Sequence, residues 1–91
     1  MEKINLSQTA ELMSSENYKE RFVAEYCQLA IRTKRLSRVL KSIEDKTAPA
    51  CFKPTCDIDI LDNQLKFMIM YKSILTYRAE LEGIELPEVE I

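Results

Sequence analysis

ENYKERFVAEYCQLAIRTKRLSRVLKSIE, residues 16–44, runs without a glycine or a proline. Phe22, Tyr26, Leu29, Thr33, Leu36, Leu40 and Ile43 recur in it at alternating spacings of four and three. That repeat lines apolar side chains along one seam of a helix. Thr33 is the one polar member. Ser15 stands ahead as an N-cap, and Glu16 places negative charge in the first turn, where the helix dipole favours it. The spacing predicts a helix over 16–44, about 43 Å long at a rise of about 1.5 Å per residue.

Downstream, residues 45–56 read as a connector. Pro49 and Pro54 stop helices there, and Phe52 is its only aromatic anchor. A second helix is expected over 57–82, capped by Thr55 and carrying Asp57 and Asp59 in its first turn. Gly83 suits the left-handed residue that ends a helix, with Ile84 as the apolar contact that accompanies it. Two stripes run along this helix. One is Ile58, Leu61, Leu65, Met68, Leu75 and Ala79, interrupted by Lys72. The other is Ile60, Gln64, Phe67, Tyr71, Ile74 and Leu81, interrupted by Arg78. Upstream, Ser7 is a candidate cap for a short helix carrying Leu12 and Met13. The tail 83–91 alternates apolar and acidic residues and reads as an extended segment that lies on a neighbour.

These elements make one all-α domain over residues 1–91: an antiparallel two-helix hairpin with a short N-terminal segment and an extended tail. One helix covers one stripe of its partner, and helix 2 offers two. The stripe of Phe67, Tyr71, Ile74 and Leu81 is therefore the expected oligomer interface, and the hairpin is expected to self-associate into a helical bundle. The alternative is that the N-terminal segment and the tail fold back over that stripe.

Composition removes several function classes. With 91 residues and no histidine, Ser-His and Cys-His nucleophile pairs are impossible. Three cysteines, Cys27, Cys51 and Cys56, do not match a zinc-site spacing, so no metal is expected. A single glycine rules out phosphate loops and dinucleotide fingerprints. No catalytic residue and no cofactor is expected, and the chain reads as a non-enzyme. A net charge of -2 argues against bulk nucleic acid and against a membrane surface. No apolar run reaches the roughly 18–20 residues of a bilayer span, and residues 1–6 lack a signal-peptide layout. The expected location is the cytoplasm, where the thiols stay reduced.

Arg32, Arg35 and Arg38 follow i, i+3, i+6 spacing on helix 1, with Lys34 and Lys41 nearby. Guanidinium groups so placed grip phosphates; the plainer alternative is a solvated face. Tyr18, at a helix start, is the tyrosine freest to stack on a base, whereas Tyr26 and Tyr71 sit on apolar stripes and suit the core or an interface. Phe52, Lys53 and Thr55 precede the positive N-terminus of helix 2, which is an anion seat or simply a capped turn. Thr33 and Gln64, polar on apolar seams, suit register control or the edge of a wet pocket between protomers.

Ser15-Glu16-Asn17-Tyr18-Lys19-Glu20-Arg21-Phe22, Ala24-Glu25-Tyr26, Gln28-Leu29 and Ile31-Arg32 resemble a family of small phage and prophage proteins. So do Phe52-Lys53-Pro54-Thr55-Cys56, Leu61, Gln64-Leu65, Met68, Tyr71 and Gly83-Ile84-Glu85-Leu86. That family is named after a reading frame of a crAss-like gut phage, and the resemblance covers about residues 15–86. In size, helical layout and source the chain also looks like the phage anti-CBASS and anti-Thoeris sponges, which oligomerise and sequester cyclic-nucleotide immune signals. That likeness carries no ligand residue across.

Two functions follow. In the first, a phage-encoded anti-defence sponge in the bacterial host cytoplasm holds a cyclic nucleotide, or another phosphate-bearing small molecule, between protomers. Phosphates then meet Arg32, Arg35, Arg38 or Lys53, and a base stacks on Tyr18 or Phe52. In the second, a protein–protein interaction module docks a host protein through an exposed helix face.

Overall fold

The computed structural model describes residues 3–48 and 54–91. It contains three helices: α1 (Thr9–Met13), α2 (Tyr18–Glu44) and α3 (Ile58–Glu82). Among the described residues, β structure is limited to one isolated parallel bridge between Ile4 and Val89.

The ends of the helices follow from local hydrogen bonding. Asn17, not Ser15, caps α2: its side chain accepts from the Lys19 amide at 2.9 Å. Ser15 lies one step further out. Its hydroxyl accepts from the Asn17 amide at 3.0 Å and donates to Glu20 Oε1 at 2.7 Å, which fixes the approach to the cap. Asp57, not Thr55, precedes α3, because the amides of Ile60 and Leu61 bond to its carbonyl. At α1, Asn5 replaces Ser7 as the organiser, its Oδ1 accepting from the Gln8 amide and from the Ser7 hydroxyl.

Gly83, at φ 67°, ends α3 in the left-handed region. The Ile84 amide reaches back to Ala79 O at 2.8 Å and Ile84 is buried, the paired bond and contact of a glycine-terminated helix. The same bonds end α2, where Thr47 donates to Ser42 O at 2.8 Å and Lys46 takes φ 58°. A lysine there does without glycine's freedom at a cost of about 1–2 kcal/mol.

α2 is the centre of the molecule. Phe22 packs with Leu75 and Ala79 of α3 and with Ile84, and Tyr26, Leu29 and Leu86 close around them. The Tyr18 hydroxyl meets Glu82, while Leu36 and Leu61 line one groove toward the other end, so α3 lies along α2 with its direction reversed. The opposite side of α2 is also buried, at Ala24, Cys27, Ala30 and Ile31. Small side chains at three of those four positions let other segments approach closely. α1 packs there, tied by Gln28 Nε2 donating to Thr9 Oγ1 at 2.9 Å. Thr9 is fully buried and its hydroxyl also donates to Leu6 O.

The tail does not reach outward. Ile4 donates to Glu88 O at 3.0 Å and Glu90 donates to Ile4 O at 2.8 Å, so both terminal segments are laced together against α2. They fold back, as the alternative reading allowed, but leave the second stripe of α3 bare. Phe67, Tyr71, Ile74 and Leu81 are 69, 43, 57 and 69 % exposed. Ile58, Ile60, Ile69, Met70 and Tyr77 are exposed on α3 as well. This helix thus shows more large apolar side chains to solvent than it contributes to the core, where Leu75 and Ala79 are its buried members.

Leu75→Ala should lower unfolding stability by about 2–4 kcal/mol through the cavity it leaves. Leu81→Ala, on the bare stripe, should change the stability of a single chain by under about 0.5 kcal/mol. Urea unfolding of both variants at low protein concentration checks the contrast.

Candidate ligand groove

Arg32 lies near the middle of α2, about one turn before Leu36, on the side of the helix that borders α3. Gln64, Met68 and Tyr71 lie on the facing edge of α3. Together with Glu25, Gln28 and Leu29 they line a groove of about 280 Å³. A second depression of about 320 Å³ continues it through the shared Arg32, Gln64 and Met68, adding Arg35, Leu36, Leu61 and Leu6. The result is a trough along one side of the α2–α3 seam, lined by two arginines, two glutamines, the carboxylate residue Glu25 and an aromatic ring, together with apolar side chains. Arginine donors suit phosphate oxygens, an exposed ring suits a base, and a glutamine amide offers both donor and acceptor.

The groove gathers only part of the residues singled out by the sequence. Arg32 and Arg35 line it, and both are exposed. Arg38 is exposed but sits further along α2 and does not line either half. Thr55 is exposed in the turn before α3, and Phe52 and Lys53 lie outside the described residues.

Tyr18 is placed differently. Its hydroxyl accepts from Arg78 at 2.8 Å and donates to Glu82 Oε1 at 2.9 Å. Arg78 in turn lies 5.0 Å over the Phe22 ring and 3.4 Å from Glu82 Oε2. Tyr18 is thus the keystone of a polar clasp joining the start of α2 to the end of α3, and it stands about 21 Å along the helix from Arg32 at 1.5 Å per residue. The same clasp explains Arg78, which interrupts the second stripe: it roofs the core aromatic.

Of the two polar seam residues, Thr33 is buried and bonded to Leu29 O at 2.6 Å, whereas Gln64 is exposed on the groove wall. The pattern of the sequence marked Gln64 as out of place on a stripe; only the packing shows that it faces Arg32.

A family model described as Sequestin matches residues 16–81, which takes in α2, all of α3 but Glu82, and every described residue of the groove except Leu6. The chain belongs to the Sequestin family. Comparison with curated proteins and with solved structures returned no match. The Sequestin match begins one residue before the Asn17 cap and stops just short of Gly83, so the matched region is the paired long helices, without α1 and the tail. The family's name suggests a sequestering, binding role.

Burial also acts on two titrating groups of α2 behind the groove. Desolvation pushes the Cys27 thiol up to about 11, and raises the Tyr26 hydroxyl, with the Cys27 charge adding to the second effect. Both stay neutral at physiological pH. Because the folded thiol holds its proton more tightly than the usual value of 9.0, the unfolded chain binds fewer protons between about pH 9 and 11, and stability must fall as pH rises through that window.

At pH 8, iodoacetamide should modify the exposed Cys56 in the folded protein while Cys27 is spared, as peptide mass spectrometry would read. Raising the pH from 8 to 10.5 should move the urea midpoint downward, and Cys27→Ala should shrink that drop.

Proposed function

We propose that this Sequestin-family chain is a non-enzymatic, phage-encoded sponge. It holds a cyclic-nucleotide immune signal, or a closely related phosphate-bearing molecule, in the Arg32 groove, closed by a second copy of the chain. The observation that carries the reading is the double position of Tyr71. It lines the groove with Arg32 and Gln64, and it belongs to the exposed stripe with Phe67 and Ile74.

A second copy seated on that stripe stands over the open side of the groove and excludes water from it, which strengthens every charged hydrogen bond inside. Fully burying each large apolar side chain returns about 1.5–3 kcal/mol. The four side chains of each copy are only partly exposed, so covering them recovers roughly half of that each, a total on the order of the roughly 4–15 kcal/mol cost of association. Binding of this kind uses positioned donors and an aromatic face, with no reacting group. The family name and the resemblance to phage sponges support the same reading.

A specific feature also favours docking of a host protein: Phe67, Ile74 and Leu81 project from α3 with no cover. The two readings part on one variant. Ile74→Glu should convert a self-associated wild type into monomers by light scattering and weaken nucleotide binding with it. If the wild type is monomeric at micromolar concentration, the closed-groove reading fails and the host-docking one gains.

Thermal unfolding against a panel of cyclic di- and trinucleotides and cyclic ADP-ribose isomers should find a member that stabilises the protein. Ligand at one hundred times its dissociation constant adds about 2.7 kcal/mol. The Arg32→Ala/Arg35→Ala variant should lose that stabilisation while unfolding at an unchanged temperature without ligand. A panel with no active member would sink the proposal.

A further inference from the structure

Lys72 is the charged interruption of the apolar stripe that α3 turns toward α2. It follows Leu61, Leu65 and Met68 and precedes Leu75 and Ala79, where a leucine or methionine would bury more apolar surface. It is half-buried. A charge kept at such a position costs stability unless something uses it. Its surroundings point to a use. Lys72 lines a cleft of about 430 Å³ with Lys34 and Tyr26 of α2, Lys3 of the N-terminal segment and Glu88 of the tail.

Among the described residues the ion pairs are Lys66–Asp62 and Arg78–Glu82, so none of the three cleft lysines is held by a carboxylate. Glu88 shares the cleft and Glu80 lines the neighbouring one beside Lys72, yet neither lies within ion-pair distance. Three lysines thus line one cleft, with Glu88 as the carboxylate beside them, in a chain whose net charge is -2, and an anion held among them would offset their mutual repulsion.

We propose that this cleft is a second anion site, specific for a small polyphosphate group such as the diphosphate or triphosphate of a phosphorylated metabolite. The chemistry of the walls selects the ligand. Ammonium groups are compact, rotatable donors that suit oxygens spread over linked tetrahedral centres, whereas a planar carboxylate favours an arginine fork. Tyr26, which lines the same cleft, brings a neutral hydroxyl.

The site is separate from the Arg32 groove. Residues two apart on a helix lie on nearly opposite sides, so Lys34 and Arg32 flank α2 on different faces, and the proposal stands whether or not the groove takes a nucleotide. Because Lys3 and Glu88 belong to the laced termini, a bound polyphosphate ties those two segments to the α2–α3 core.

The probe is inorganic tripolyphosphate, titrated calorimetrically into the full chain at low salt. The wild type should bind, and occupancy should slow exchange of the Glu90 amide, which donates to Ile4 O at 2.8 Å. Lys72→Leu completes the apolar stripe and so keeps the fold, which thermal unfolding would verify. It and Lys34→Gln should each weaken binding by about tenfold or more, the equivalent of about 1.4 kcal/mol. Lys66→Gln, which removes the same charge from an exposed pair elsewhere, should leave binding unchanged. The proposal is overturned if the wild type does not bind, if Lys66→Gln loses as much as Lys34→Gln, or if Lys72→Leu binds like the wild type. Unaltered Glu90 exchange on binding would place the anion elsewhere and overturn it too.

Discussion

The burial of Phe22 beneath α3 is the contact on which the rest of the architecture rests. The ring touches the cluster of Leu75, Ala79 and Ile84, and Arg78 covers its face. The cluster therefore joins three things that are far apart in the chain: the first turns of α2, the last turns of α3 and the residue that follows the Gly83 stop. Because Gly83 turns the chain sharply, Ile84 is delivered to the same aromatic that α3 already covers. The tail then has no freedom to leave, and it meets the N-terminal segment at Ile4. A single aromatic anchor thus sets the direction of α3, the path of the tail and, through the tail, the position of the N-terminus.

That arrangement also decides where chemistry can happen. α3 covers one face of α2, and α1 with the termini covers the opposite one. Two lateral sides of the α2–α3 seam are left, and each becomes a trough. One gathers Arg32, Arg35, Gln64 and Tyr71 beside an uncovered apolar stripe; the other gathers Lys3, Lys34 and Lys72 beneath the laced termini. The charges alternate around α2 because they are residues that neither packing face will accept. The apolar excess of α3 has a different character. A core built on Ala24, Cys27, Ala30 and Ala79 brings segments close but removes little apolar area per residue, which leaves a 91-residue chain with a thin margin. An assembly that covers the stripe would contribute to stability and enclose the groove in one step.

The polar clasp of Tyr18, Arg78 and Glu82 shows how easily a residue type misleads. A tyrosine at a helix start has the composition of a stacking platform, yet its hydroxyl is committed at both lone-pair and proton to groups some sixty residues away. Lys72 and Arg78 are the opposite case. Each reads as a mere interruption of a stripe, and each has a place in space of its own: Arg78 over a ring, Lys72 in a cleft shared with two other lysines and Glu88.

What the sequence determined by itself is whatever depends on near neighbours. Uninterrupted spacing of apolar residues specified two long helices to within one or two residues of their ends, Gly83 specified the stop of α3, and the lack of histidine and of glycine-rich loops restricted the available chemistry. The inward stripe of α3 was legible because a helix turns by a fixed angle per residue. The caps were less legible, since Ser15, Asn17, Thr55 and Asp57 all have side chains able to cap and only the backbone path selects among them. Tertiary structure alone decided which polar side chains share a cleft. Arg32 and Gln64, or Lys3 and Lys72, come together because Phe22 fixes the register of α3 on α2 and because the termini pair, and no local pattern encodes a contact between residues whose separation is bridged only by packing.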